Sequence, residues 1–244
     1  MAAALAACLL AIGAGAAEVQ VAVAANFAAP IRKIAADFEH DTGHRLLVIV
    51  GSTGKHYAQI ENGAPFEILL AADAATPKRL EEEGLTVIGE RFTYAMGKLV
   101  LFSAKPRFVD GAGTVLKGDA FAHIALANPQ SAPYGAAAKQ VLQSLGLYES
   151  LEARIVQGEN IAQTFEFVFT GNAELGFVAL SQVAPPDKAV TGSWWLVPAS
   201  LYEPIRQDAV LLKNGAGNPA ARALMQYLRS DKARAVIRAY GYGI

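Results

Sequence analysis

Along this chain, short runs with the two-residue period of a strand alternate with longer runs on the 3.6-residue period of a helix, and they do so in two blocks. In the first block Val19, Val21 and Val23 alternate with smaller or polar residues, as in a strand. Ile31, Ile34, Ala35 and Phe38 then fall at i, i+3, i+4 and i+7, one face of a helix that stops at Gly43. Residues 46–50 (LLVIV) suit a strand buried on both faces. Tyr57, Ile60 and Ala64 line a second helix, residues 67–71 (EILLA) read as a third strand, and residues 77–83 as a polar helix ending at Gly84. Strand and helix in turn predict an α/β chain with a mostly parallel sheet.

The rhythm then restarts. Residues 98–102 (KLVLF), 123–127 (HIALA) and 175–179 (LGFVA) read as strands. Ala138, Val141, Leu142 and Leu145 form one helical stripe between them, and Ile161, Phe165, Val168 and Phe169 another. Pro185-Pro186 breaks the chain, residues 209–212 give a further strand, and two helices follow. Their stripes are Ala220, Ala223, Leu224 and Tyr227, then Ala233, Val236, Ile237 and Tyr240. No sequence repeat accompanies the rhythm, yet two blocks favour two α/β lobes over one long sheet.

Charge and cysteine content narrow the function classes. Lys and Arg number 21 against 22 Asp and Glu, so the basic excess of a nucleic-acid binder is missing. A single cysteine excludes a disulfide framework and a cysteine-based zinc site. Residues 1–17 are uncharged, small and apolar and end Gly15-Ala16-Ala17 before Glu18, as in a signal peptide, although no Lys or Arg precedes the apolar region. A membrane span needs roughly 20 apolar residues, more than this stretch offers. The expectation is a secreted protein whose mature chain starts near Glu18 and lacks cysteine. A lipid anchor on Cys8, after Leu5-Ala6-Ala7, fits less well because the apolar run continues beyond it.

Ligands of α/β sheets gather beyond the carboxyl ends of strands, where helix N-termini present free N–H groups. The junctions at those places read Ala24-Ala25-Asn26, Gly51-Ser52-Thr53-Gly54, residues 128–135 (NPQSAPYG) and Gly158-Glu159-Asn160 ahead of Ile161. Taken singly, each is an ordinary helix cap. Taken together, donor-rich junctions in two blocks can converge on one anion, each helix end carrying roughly half a positive charge. Residues 51–55 (GSTGK) are not a nucleotide-binding loop, because only two residues separate the glycines and His56 follows Lys55. Neither Gly-x-Ser-x-Gly nor His-Glu-x-x-His occurs. The four histidines (His40, His44, His56 and His123) read as surface residues, Glu81-Glu82-Glu83 as a solvated helix end, and Trp194-Trp195 as a pair that packs lobe surfaces rather than a ligand platform.

Several segments carry a resemblance. Residues 23–27 (VAANF), 51–54 (GSTG), 59–65 (QIENGAP), 72–73 (AD), 91–101 (RFTYAMGKLVL), 128–135, 175–182 (LGFVALSQ) and 239–242 (AYGY) resemble, in order, the periplasmic molybdate-binding proteins of ABC importers. The resemblance implies a type II periplasmic-binding-protein fold, two α/β lobes joined by crossing strands, with the anion in the cleft. It implies a non-enzymatic, cofactor-free binding protein for molybdate or tungstate, molybdenum entering only as the bound oxyanion. The implied partner is the membrane permease of an ABC importer, served by a monomer in the periplasm.

Matched residue by residue, the anion contacts implied are Asn26 with its neighbour Ala25, Thr53 with Ser52, Tyr134, and Ile161 beside Asn160. Side-chain amide and hydroxyls supply some donors, and the backbone N–H groups of Asn26, Thr53, Tyr134 and Ile161 supply others. The chain departs from the family at Ala25, where relatives carry Ser or Thr, and has Ala179 where one branch carries a tyrosine. With the 98–102 and 209–212 runs as crossings, the lobes implied are residues 18–96 plus 207–244 and residues 97–206. Rival readings are an extracellular α/β hydrolase or phosphatase acting through Ser52 or His56, and a binding protein for another tetrahedral oxyanion. The first lacks a recognisable base or third triad member.

Overall fold

The computed structural model describes residues 16–186 and 191–244. The leader expected at 1–17, Cys8 included, lies outside them except for Ala16 and Ala17. The chain runs through β1 (Glu18–Ala24), a 3-10 turn at Ala25–Phe27, α1 (Ala28–Thr42), β2 (Arg45–Gly51), α2 (Thr53–Glu61), β3 (Ile68–Leu70), α3 (Ala75–Glu82) and β4 (Thr86–Gly97). It continues with β5 (Leu99–Ser103), β6 (Ile124–Ala127), α4 (Pro133–Ser144), α5 (Tyr148–Leu151), β7 (Ile155–Gly158), α6 (Ile161–Phe169), β8 (Leu175–Ala179), α7 (Leu180–Val183) and β9 (Ser193–Leu196). It then forms β10 (Ile205–Leu212), α8 (Pro219–Tyr227) and α9 (Asp231–Ala239).

The strands form two five-stranded sheets, ordered β2-β1-β3-β10-β4 and β7-β6-β8-β5-β9. In each, three parallel strands are extended by two more joined through antiparallel pairings, of which one has just arrived from the other sheet and one is about to leave for it. The two sheets therefore share one topology without sharing sequence. Half of the strand pairings are parallel, fewer than the alternation alone predicts, because the strands that carry the chain between the sheets pair antiparallel with their neighbours.

Period-two alternation sorts the first core. Val19, Val21 and Val23 point to one face, where Phe27, Ile31, Ile34 and Phe38 of the first helical segment meet Leu224 and Ile237 of α8 and α9. Ala22 points to the other face, against Ile60, Leu80 and Val210. Gly43 ends α1 in the left-handed conformation at φ 75° and donates its N–H to the Glu39 carbonyl, the terminator the helical stripe required. One expectation fails here: β2 is an edge strand bonded only to β1, and Leu47 and Val50 are 45% and 39% exposed. Five apolar residues in a row do not distinguish an edge from a centre.

Leu99, Leu101, Leu126, Val141, Leu142 and Phe177 build the core of the second sheet. Ala24, Ala25 and Ala72 of the first sheet's strand ends join that same cluster, so the two lobes touch through small apolar residues. Among the described residues no helix is long and apolar enough to cross a membrane.

Candidate functional site

Where the lobes meet, four helix starts face one small hollow. The 3-10 turn after β1 brings Ala25 and Asn26, α2 brings Ser52 and Thr53, α4 brings Tyr134, and α6 brings Asn160 and Ile161. All seven residues singled out from the sequence line this one space, together with Ala24, Gly51, Ala72, Ala132 and Pro133. Every one of the seven is buried except Asn160, which is half-buried. The hollow measures about 210 Å3, open solvent included. Sites for larger organic molecules run to about 300–1,000 Å3, so only a small solute fits. A wider, more open space, about 1130 Å3 on the same measure, adjoins it near the chain crossing and is lined by Asp73, Glu203 and Arg206.

No lining residue of the small hollow carries a charge, and four of its backbone donors are free. First-turn N–H groups have no acceptor within their own helix. Among the described residues those of Asn26, Thr53, Tyr134 and Ile161 find none elsewhere either. Gly54 differs: its N–H donates across the cleft to the Ser131 carbonyl at 2.9 Å. The two capping side chains keep their ordinary role. Ser52 Oγ accepts from Lys55 N at 3.4 Å, and Asn160 Oδ1 accepts from Ala162 N at 2.9 Å and Gln163 N at 3.1 Å. Capping and anion binding are compatible here, because a cap consumes a lone pair and leaves the preceding N–H and the hydroxyl hydrogen available.

The hydroxyls are oriented in the same way. Thr53 Oγ1 accepts from Ala72 N at 2.9 Å, and neither it nor Ser52 donates a bond of its own among the described residues. Their hydrogens are therefore left for a ligand acceptor. Asn26 behaves otherwise. Both hydrogens of its amide are used, one on Gln207 Oε1 at 2.8 Å and one on the Tyr242 hydroxyl at 3.0 Å, while Oδ1 is buried without a partner. Neither amide hydrogen of Asn26 is therefore left over for an anion, whereas its backbone N–H is.

Around the cavity runs a buried polar network. Tyr242 donates to the Asn26 carbonyl at 2.7 Å, and Ser181 Oγ donates to the same oxygen at 2.9 Å. Burial pushes the Tyr242 phenol up to about 12, against the pull of polar contacts from Ser181, Asn26 and Tyr134. Burial likewise pushes the Tyr134 and Tyr94 phenols far above their ordinary value, so both stay protonated. Gln182 donates to the Ile161 carbonyl at 3.0 Å and accepts from Ala179 N at 2.9 Å, which steadies the start of α6. Ser181, Gln182 and Tyr242 lay inside the resembling segments; Gln207 lay in none, and a lone polar residue in a strand carries no signal.

Two histidines contradict the surface reading. His44 is 8% exposed and His56 only 1%. The His56 ring fills the niche left by Gly51, whose missing Cβ would lie 2.9 Å from it. Its Nε2 sits 3.1 Å from the Val23 carbonyl and its Nδ1 3.1 Å from the Gln59 side chain. Desolvation lowers its pKa. With both ring nitrogens engaged there, His56 forms no bond to Ser52, which removes the base a hydrolase would need. Lys55 points away, its Nζ 3.9 Å from Glu159 at the exposed rim. Neither Trp194 nor Trp195 lines the hollow; Trp195 packs over Gly113.

A family model for bacterial extracellular solute-binding proteins matches residues 19–243. Over 241 residues the chain is 62% identical to the molybdate-binding protein ModA of Azotobacter vinelandii, covering 99% of this chain and 96% of that one. To the protein of the same name from Rhodobacter capsulatus it is 53% identical over 233 residues, covering 96% and 91%. A solved periplasmic molybdate-binding protein of Azotobacter vinelandii superposes with a TM-score of 0.90 at 44% identity, covering 93% of this chain and 99% of that one.

Proposed function

The chain belongs to the family of bacterial extracellular solute-binding proteins, and on that premise we propose that it captures molybdate in the periplasm and delivers it to the permease of an ABC importer. The observation that carries this reading is the convergence of four free helix-start N–H groups and two hydrogen-donating hydroxyls on one uncharged, buried hollow. Molybdate is a dianion without a proton near neutral pH, so a lining of donors suits all four of its oxygens. Backbone dipoles spread its charge, and no Lys or Arg is required. Tungstate has the same shape and charge and binds in the same way. Sulfate has the charge but is smaller, so cavity size excludes it.

In this reading Asn26, Thr53, Tyr134 and Ile161 contribute N–H groups, Ser52 and Thr53 hydroxyls, and Ala25 and Asn160 shape the walls. The lobes are residues 18–96 plus 207–244 and residues 97–206. The protein works as a monomer, without cofactor or catalysis, and its leader is removed.

One observation favours a second reading. Asn26 Oδ1 is a buried acceptor without a donor, and a proton-bearing oxyanion such as hydrogen phosphate satisfies an acceptor where molybdate does not. Calorimetric titration with molybdate, tungstate, sulfate, chromate and phosphate separates the two, beside a phosphatase assay. Tight binding of molybdate and tungstate, weak sulfate and phosphate, and no turnover supports the first reading. Preference for phosphate overturns it.

A further inference from the structure

We propose that Gln207 is a positioning residue that joins the two halves of the anion site and fixes the Tyr134 hydroxyl as a hydrogen-bond donor. The proposal rests on the molybdate reading above. Gln207 is fully buried on β10, paired with Ala95 of β4 at the crossing between lobes. Its Oε1 accepts from Asn26 Nδ2 at 2.8 Å and from the Tyr94 hydroxyl at 3.1 Å, and its Nε2 donates to the Tyr134 hydroxyl at 3.1 Å. One planar amide therefore touches a cavity residue from each lobe. It meets Asn26 with an acceptor and Tyr134 with a donor, a pairing that neither a carboxylate nor an ammonium can reproduce.

The donor end has a consequence for polarity. Gln207 Nε2–H occupies a lone pair of the Tyr134 oxygen on the β10 side. The hydrogen of Tyr134 must then turn away from β10, either to Tyr242, with which it makes a polar contact, or to the hollow that Tyr134 lines. A bound anion attracts that hydrogen, whereas a Tyr134 lone pair turned inward repels the anion. A carboxylate in place of Gln207 keeps the size of the side chain and its acceptors, loses the donor, and draws the Tyr134 hydrogen to itself.

The test titrates molybdate by calorimetry into wild type, Gln207→Glu, Tyr134→Phe and the double variant, with melting temperatures of the ligand-free proteins alongside. Gln207→Glu is expected to weaken binding by about tenfold or more, and Tyr134→Phe to add less than about twofold in that background while costing several-fold on its own. As pH falls from about 8 to 6 the gap between Gln207→Glu and wild type should narrow, because burial raises the new carboxyl's pKa and its protonated form donates again. A role in stability alone lowers the melting temperature without producing either effect. If Gln207→Glu does not fold, Gln207→Met replaces it, with the same non-additivity toward Tyr134→Phe expected. Affinity within twofold of wild type in whichever variant is used, or losses that multiply in the double variant, overturns the role of Gln207 while the molybdate reading stands. A wild type without molybdate affinity overturns both.

Discussion

The hydroxyl of Tyr134, carried by α4 beside the second sheet, occupies the space that a Cβ on Gly97 would fill at the end of β4 in the first. Gln207 Nε2 lies 2.7 Å from the same position. A glycine at the crossing is thus what lets the tyrosine and the glutamine meet. Gly97→Ala should displace both, with an overpacking cost of about 1–3 kcal/mol in urea denaturation and a weaker molybdate titration. Unchanged stability and affinity would mean that the hydroxyl has another place to go.

Gly54 sets how closely the lobes approach. A Cβ there would meet Ser131 Cα at 2.9 Å and its carbonyl oxygen at 3.1 Å, both across the cleft. Gly54→Ala should leave the ligand-free protein as stable as wild type but hold the closed form ajar. Small-angle scattering with saturating molybdate should then give a larger radius of gyration than wild type, and affinity should fall about tenfold.

Lys55 tests the neutrality of the site. Its side chain is 62% exposed and its nearest carboxylate partner is Glu159 at the rim. Exposed pairs are worth about 0–1 kcal/mol. Lys55→Ala should therefore change molybdate affinity by less than about fivefold at physiological salt, and a loss of a hundredfold would place a cation at the anion after all.

Stability should depend on pH through His56. An unfolded imidazole titrates near 6.5, and burial lowers the value in the folded protein. The folded chain then binds fewer protons than the unfolded one between those two values. Its contribution is complete above 6.5 and is lost as pH falls through 6.5 toward the folded pKa. The urea midpoint of wild type should drop between pH 7.5 and 5.5, and the drop should be smaller in His56→Gln.

Much of this was legible in the residues, and the failures share a cause. The strand-to-helix junctions were visible because Asn, Ser, Thr and Gly cluster where periods change, and the seven residues that the family resemblance picks out at them line one hollow. β4 was missed because Gly89, Glu90 and Arg91 interrupt its pattern, and its pairing with β10 carries two register shifts. β7 (IVQG) has only two apolar residues in a row and β9 (SWWL) reads as a tryptophan pair, so neither shows the unbroken apolar run of the equally short β3 (ILL) and β6 (IALA). The burial of His56 depends on a niche at Gly51, and that of Gln207 on partners from Asn26 to Tyr134. Such placements are set by tertiary neighbours far away in the chain, which a local pattern does not encode.

Diffraction from crystals grown with molybdate, recorded on either side of the molybdenum absorption edge, tests the central claim most directly. The account predicts one strong anomalous peak in the hollow between Asn26, Thr53, Tyr134 and Ile161, within hydrogen-bond reach of all four backbone nitrogens. A peak in the wider space beside Asp73 and Arg206, or no peak between the lobes, would contradict it.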